Sequence, residues 1–134
     1  MGEKTMVATT LTKEMIDSGG ALVRKLDEQD LNPDAAFWLY STETQEWKLV
    51  IVEFKMSKVG PKGIYKKIQD TISTSKEDMP DMSLDSVALA KPDAPIVALL
   101  KKAIHTGPGI SGIRFQNNVI NGTVIEDAYI YRMN

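Results

Sequence analysis

Asn121-Gly122 separates two runs of the chain that are rich in branched and aromatic residues, 113–120 and 123–132. A two-residue hairpin loop of type I′ needs positive φ at both central positions, and Asn-Gly is a dipeptide that tolerates this well. The two runs are therefore predicted to form an antiparallel hairpin closed by a type I′ turn. This hairpin is the most strongly determined part of the predicted fold.

The N-terminal part of the chain is predicted to contain a helix. Thr12 can cap its first turn, and apolar residues then recur at helical spacing as far as Leu26, before a break at Pro33. Gly19-Gly20 lies inside this helix, where each glycine costs about 1 kcal/mol relative to alanine. The pair indicates either a kink or the close approach of another stretch of backbone, and we favour close packing.

Two further strands are expected in the first half of the chain. Residues 35–40 and 47–54 are rich in aromatic and branched side chains, and the polar loop 41–46 separates them. Both faces of these strands are apolar, so they require cover on two sides, which helices can provide.

The remaining elements complete an alternating order of helices and strands. A second helix is expected after Gly60-Pro61, a short strand over residues 84–89, and a third helix that opens at residues 92–95. The predicted order is αββαβαββ, with the β-hairpin at the C-terminal end. We therefore predict an α/β (α+β) fold: a single domain over residues 1–134 with a mixed sheet and flanking helices, preceded by a flexible segment at residues 1–10.

The composition narrows the classes of function. The chain has 134 residues, of which 43% are hydrophobic and 25% charged, and its formal charge of −2 gives no overall attraction to nucleic acid. It contains no cysteine, which excludes disulfides, a thiolate nucleophile and sulfur-ligated zinc. Its apolar runs are far shorter than the roughly 20 residues that cross a bilayer. We therefore expect a cytoplasmic protein with no membrane association.

Asp34, Glu53 and Lys55 form the pattern in the chain that most suggests catalysis. Pro33-Asp34 followed by an apolar run and then by Glu53-Phe54-Lys55 resembles the motif of the PD-(D/E)xK nucleases. That resemblance implies two carboxylates on neighbouring strands that hold a divalent metal, with a lysine beside the attacking water.

The geometry of this motif depends on how the two strands pair. If the loop between them is symmetric, Tyr40 faces Trp47 and Asp34 faces Glu53. Opposed residues have Cβ atoms about 5 Å apart, a separation at which two carboxylates repel unless they share a cation. Mg²⁺ is commonly held by one or two carboxylates and water, and Lys55 would lie on the same face. The pattern thus predicts a magnesium-dependent phosphodiesterase acting on nucleic acid.

Other observations favour a structural role for the same residues. The nuclease core has a further strand between its first helix and the aspartate strand, whereas here the first helix leads almost directly to Asp34. Pro33-Asp34 is also an ordinary turn, and Glu53 and Lys55 suit the end of a strand that enters solvent. A shift of one residue in pairing would place the two acids on opposite faces. The nuclease is therefore the alternative interpretation.

The last strand offers a candidate binding surface. Alternation places Asp127, Tyr129 and Tyr131 on one face and Arg132 on the other. Tyrosine and arginine are frequent anchors at protein interfaces, although strand tyrosines are often simply half-buried. We predict these four residues as the binding residues, for a protein partner or for a second copy of the chain.

Several segments of the chain resemble a family of short bacterial proteins of unassigned function: residues 35–40, 60–61, 107–115, 118–122 and 126–132. The resemblance covers nearly the whole chain and implies no activity, ligand or partner. The sequence also lacks a nucleophile elbow, zinc-ligand spacing, a dinucleotide fingerprint and a Walker loop. The favoured prediction is a small non-catalytic binding protein without a cofactor, which uses the terminal hairpin as an exposed edge or as an aromatic patch.

Overall fold

Three helices and five strands make up the parts of the chain that the computed structural model describes, which are residues 10–52, 60–79 and 82–134. The elements are helix α1 (Lys13–Glu28), strands β1 (Ala35–Ser41) and β2 (Glu46–Val52), helix α2 (Pro61–Thr74), strand β3 (Val87–Ala90), helix α3 (Pro95–Ala103), and strands β4 (Ile113–Ile120) and β5 (Thr123–Met133). The predicted order αββαβαββ is confirmed. None of the described helices is both long enough and apolar enough to cross a bilayer.

Some predicted boundaries differ from the observed ones. The strand expected over residues 84–89 begins only at Val87, because Leu84–Ser86 forms a 3₁₀ turn. The strand expected over residues 47–54 begins at Glu46 and is described as far as Val52, so residues 53 and 54 lie outside the described residues. The flexible segment expected at residues 1–10 also lies outside them, apart from its last residue.

Helix α1 begins where the sequence indicates. The N–H of Met15 donates to the side-chain oxygen of Thr12 at 3.1 Å, which satisfies one of the free donors of the first turn. After the helix ends at Glu28, Asp30 and Asn32 adopt positive φ, at 61° and 43°. This tight turn brings the chain directly into β1.

The five strands form one mixed sheet in the order β3-β2-β1-β5-β4. Strand β3 runs parallel to β2, and the other neighbouring pairs are antiparallel. Strand β5 therefore lies inside the sheet between β1 and β4, and β4 is an edge strand.

Both predicted hairpins are present in the predicted register. At the terminal turn Asn121 and Gly122 have φ of 49° and 82°, and Ile120 pairs with Thr123. In the first hairpin Tyr40 pairs with Trp47. A symmetric loop between β1 and β2 is thus confirmed for the described residues.

The sheet is covered on both faces, as the apolar character of β1 and β2 indicated. Helices α1 and α2 pack on one face, with Leu22, Leu26, Ile64 and Ile68 fully buried against Trp38 and the residues around it. Helix α3 packs on the other face, where Val97 and Leu100 meet Phe37 and Ile130 among others. We call these the α1/α2 face and the α3 face.

A bulge interrupts the pairing of β5 with β1. Ala36 pairs with Arg132, but the next residue, Phe37, pairs with Ile130, so Tyr131 is an extra residue in β5. A bulge resets the alternation of side chains along a strand. Because of this bulge, Tyr131 and Arg132 both reach toward α1. The prediction that Arg132 lies on the face opposite Tyr131 was therefore wrong.

Gly19 lies where α1 approaches the sheet most closely. A Cβ at this position would lie 2.7 Å from Nε1 of Trp38 and still closer to the hydroxyl of Tyr131. The predicted close packing is confirmed, but side chains of the sheet make the approach, and not the backbone. Gly20 is less crowded, since its Cβ would lie 3.6 Å from the nearest ring carbon of Tyr131.

Candidate functional site

Asp34 immediately precedes β1, and its carboxylate is already paired. Its Oδ2 lies 3.2 Å from Nζ of Lys101 on α3, and its side chain is 13% exposed. Its main-chain carbonyl accepts a hydrogen bond from the N–H of Asn134 at 3.1 Å. In the described structure Asp34 therefore ties the start of β1 to α3 and to the end of β5.

The other members of the predicted catalytic set, Glu53 and Lys55, lie outside the described residues. The register on which the set depends holds as far as Ala36 and Ile51, the pair nearest to Asp34 that is described. Among the described residues there is no group of three or more His, Asp or Glu side chains that could hold a metal ion.

Asp127 forms the centre of a polar cluster on the terminal hairpin. Arg114 on β4 donates from Nε to Oδ1 at 2.7 Å and from Nη2 to Oδ2 at 2.6 Å, and Gln116 adds a bond to Oδ2 at 3.3 Å. The guanidinium carbon of Arg114 lies 5.9 Å from the centre of the Trp47 ring. The hydrogen bonds to Asp127 raise the pKa of Arg114 above its ordinary value, so the guanidinium keeps its positive charge.

Tyr129 lies beside this cluster and is only half-buried. Its ring centre is 5.3 Å from that of Tyr131 in an edge-on arrangement, and Gly112 packs against its outer end. Asp127 and Tyr129, with Arg114, therefore form a polar and aromatic strip beside the sheet edge.

Tyr131 and Arg132 lie in the interior, at 2% and 4% exposure. The hydroxyl of Tyr131 accepts from Nε1 of Trp38 at 3.0 Å and donates to the carbonyl of Ile16 on α1. Burial raises the pKa of this hydroxyl well above its ordinary value.

Arg132 binds Asp27 at the end of α1 through two parallel hydrogen bonds, of 3.0 and 2.6 Å. It also donates to the carbonyl of Pro33 at 3.0 Å. The structure therefore separates the four predicted binding residues into two that are accessible, Asp127 and Tyr129, and two that hold α1 on the sheet.

Four large apolar residues on the terminal hairpin or just before it are exposed, and none of them was predicted from the sequence as a binding residue. Val119 and Val124 are each 65% exposed and face each other across the ladder, and Ile113 and Ile110 at the other end are 36% and 39% exposed. All the large exposed hydrophobics among the described residues lie in this region. Val119 and Val124 flank the Asn-Gly turn, and the terminal hairpin was expected to provide an exposed edge, which agrees with the outer position of β4.

No family model matches the chain, and searches of curated proteins and of solved structures find no match either.

Proposed function

We propose that this protein is a small non-catalytic binding protein that receives a partner along the outer edge of β4. The observation that carries the proposal is the pair Val119 and Val124, which face each other at the tip of the β4–β5 hairpin and are each 65% exposed. Exposed apolar residues gathered in one place are typical of interaction surfaces, whereas scattered ones are ordinary.

A comparison of the two sheet edges supports this proposal. Strand β3 has four residues, and the hydroxyl of Tyr65 on α2 accepts a hydrogen bond from the N–H of Leu89 at 3.3 Å. Strand β4 has eight residues, with neither lysine nor proline among them. Short strands, lysine, proline and covering side chains are the usual protections of a sheet edge. Within the described parts of the chain, edge β3 therefore has two of these protections, whereas β4 is the longer edge and is interrupted at Asn117, which has φ of 50° and no partner in the β4–β5 ladder. We propose β4 as the edge that accepts an added strand.

Arg114, Asp127 and Tyr129 form a strip of polar and aromatic side chains beside the same edge, which a bound partner could contact. Side chains that are already held by hydrogen bonds lose little conformational entropy when a partner binds. An extended segment added to β4 would gain main-chain hydrogen bonds from the edge and specificity from the side chains beside it.

The proposal is tested by selection from a random peptide library on the immobilised full chain. We expect enrichment of extended peptides with alternating apolar residues, whose binding is lost in Val119→Lys. Ser73→Lys, on the exposed side of α2, adds the same charge away from the hairpin and is the control. Peptides that bind both variants as well as the original chain would refute the assignment of the site to β4.

A second candidate function, a PD-(D/E)xK phosphodiesterase using Asp34, Glu53 and Lys55 with Mg²⁺, is supported by the confirmed register of the first hairpin. Its test is a magnesium-dependent nucleic-acid cleavage assay. The expected result is activity that Asp34→Ala abolishes and Lys101→Ala preserves, because the second variant breaks the same ion pair without removing the carboxylate. Absence of cleavage by the original chain, or equal loss in both variants, would count against this candidate.

The proposal includes the cytoplasmic location that was expected from the short apolar runs of the sequence. From the resemblance to short bacterial proteins, we also propose that the protein is bacterial.

A further inference from the structure

We infer that the tips of the two hairpins and the first turn of α3 form a site for a basic side chain, lysine or arginine, of a protein partner. The site is a cavity of about 210 Å³ that opens to solvent and is lined by residues 39–43, by residues 123–126 and by Ile96. The inference goes beyond the proposed function, because this cavity does not lie on the backbone edge of β4 and requires no added strand there.

The floor of the cavity is apolar. Leu39 and Ile96 are partly buried and Ile125 is buried, and all three belong to the apolar layer between the sheet and α3. Val124, which lines the same cavity, is 65% exposed. An aliphatic stem can therefore lie on this floor while its charged end stays in water, which is how lysine and arginine side chains are usually accommodated.

The lining of the cavity carries a negative charge. Glu43 and Glu126 both line it and are exposed, and no lysine, arginine or histidine is among the lining residues. None of the ion pairs within the described parts of the chain involves either glutamate. The first turn of α3 adds only about half a positive charge near Ile96, which is less than the two carboxylates carry. The cavity therefore favours a cation.

The size of the cavity suits one side chain. Sites for small molecules usually have about 300 Å³ or more, and this cavity is smaller. A single side chain has few atoms to bury, so we expect weak binding, with a dissociation constant of about 1 mM for one basic residue in a short peptide. Binding of this strength is measurable by NMR titration.

A second cavity, beside α1, has a lining without this preference. It has a volume of about 250 Å³, and charges of both signs line it, among them the ion pair of Lys25 with Asp78 at 3.4 Å. A basic side chain would compete there with Arg24 and Lys25 for the same carboxylates. Glu28 lines this second cavity and therefore provides a matched control for the removal of an acidic charge.

Two short glycine–serine peptides of equal length test the inference by NMR titration of the full ¹⁵N-labelled chain. The central residue is lysine in one peptide and norleucine in the other, which keeps the aliphatic stem but has no charge. We expect the lysine peptide to shift the amide signals of Ile96 and of residues 123–126, and to bind at least about fivefold more tightly than the norleucine peptide. The preference for lysine should disappear at about 0.5 M salt, because exposed charges are screened.

Three variants assign the charge preference to this cavity. Glu43→Gln and Glu126→Gln each remove one charge and nearly preserve the size of the side chain. Each should weaken binding of the lysine peptide about twofold and the double variant about fivefold, whereas Glu28→Gln should leave the affinity unchanged.

Equal binding of the two peptides would overturn the inference, and so would a double variant that binds the lysine peptide as tightly as the original chain does. The absence of any shift at up to about 10 mM lysine peptide would have the same meaning. Shifts confined to α1 and lost in Glu28→Gln would move the binding to the second cavity and also overturn the inference. None of these results bears on strand addition at β4, which the peptide selection tests separately.

Discussion

Strand β5 has two halves that differ sharply in their surroundings. Residues 128–133 lie between the helices and carry Tyr131 and Arg132, whose polar atoms are bound to α1. Residues 123–127 extend to the hairpin tip, where Val124 is 65% exposed. We call these the inner and outer halves of β5.

Each half contributes one residue to an arginine–aspartate ion pair, Arg132 to the pair with Asp27 and Asp127 to the pair with Arg114. The two pairs have nearly the same geometry, so a comparison of them shows how burial affects the stability that an ion pair provides. The shortest distance is 2.6 Å in both pairs, but the side chain of Arg132 is 5% exposed and that of Arg114 is 40% exposed. A buried charge without its partner is costly, whereas an exposed one is stabilised by water. Similar residues thus form a buried anchor between β5 and α1 in the inner half and a partly exposed ion pair within the hairpin in the outer half.

The largest effect is expected from breaking the inner pair. Asp27→Asn should lower the free energy of unfolding by about 3 kcal/mol, because it leaves the buried guanidinium of Arg132 without a countercharge. Asp127→Asn, the corresponding change in the outer pair, should cost at most about 1 kcal/mol. Urea unfolding of the two variants gives the comparison, and equal losses would show that burial does not distinguish the pairs.

Removing the hydroxyl of Tyr131 should have the next largest effect. Tyr131→Phe leaves the buried Nε1 of Trp38 without its acceptor, and an unsatisfied buried donor costs about 2 kcal/mol. The measurement is again urea unfolding at neutral pH. A loss below the error of the method would show that this hydrogen bond contributes little.

The hydroxyl of Tyr131 also makes the free energy of unfolding depend on pH in the alkaline range. Burial raises the pKa of Tyr131 above its ordinary value of 10.0 in the folded chain. Below about pH 10 both states keep the proton, and above it the unfolded chain loses the proton first, so stability falls as pH rises. Unfolding midpoints from about pH 9 to about pH 11 should therefore decline less in Tyr131→Phe. Equal declines in both proteins would refute this assignment.

The two adjacent glycines of α1 provide a smaller and sharper comparison. Gly19→Ala should destabilise by about 1–2 kcal/mol, because crowding against Trp38 and Tyr131 outweighs the gain in helix propensity. Gly20→Ala, with only an ordinary contact at 3.6 Å, should stabilise by up to about 1 kcal/mol. Thermal or urea unfolding measures both, and a change of the same sign in both variants would contradict the described packing.

The smallest effect is expected at the outer end of the hairpin. Val119→Lys and Val124→Lys should each change the free energy of unfolding of the monomer by less than about 0.5 kcal/mol, as is usual for exposed positions. Urea unfolding of both variants tests this, and a larger loss would show that the outer half also supports the fold.

Local chemistry in the sequence was enough to predict most of the elements. The Thr12 cap and the Asn121-Gly122 turn depend on neighbouring residues, so their consequences could be predicted without coordinates. The register of the first hairpin was left open by the sequence, and the structure shows the symmetric alternative. The Gly19-Gly20 pair likewise predicted that another part of the chain packs closely against α1. The order of helices and strands follows from such signals taken together.

The arrangement of the candidate site depends on contacts between distant parts of the chain. Arg132 and Asp27 are 105 positions apart, and the bulge that turns Arg132 toward α1 leaves no signature in the sequence of β5. Strict alternation therefore misplaced Arg132, and the burial of Tyr131 could not be anticipated. The position of β4 at the edge depends equally on the pairing of β5 with β1.

The central place of β5 has a consequence for how the chain folds. Trp38 and Tyr131, which hydrogen-bond to each other across neighbouring strands, are 93 positions apart. Contacts at such separations require a large loss of chain entropy before they form, and folding is correspondingly slow. A chain in which β5 has not yet paired leaves β1 as an open and strongly apolar edge, so we expect such partly folded chains to aggregate most readily.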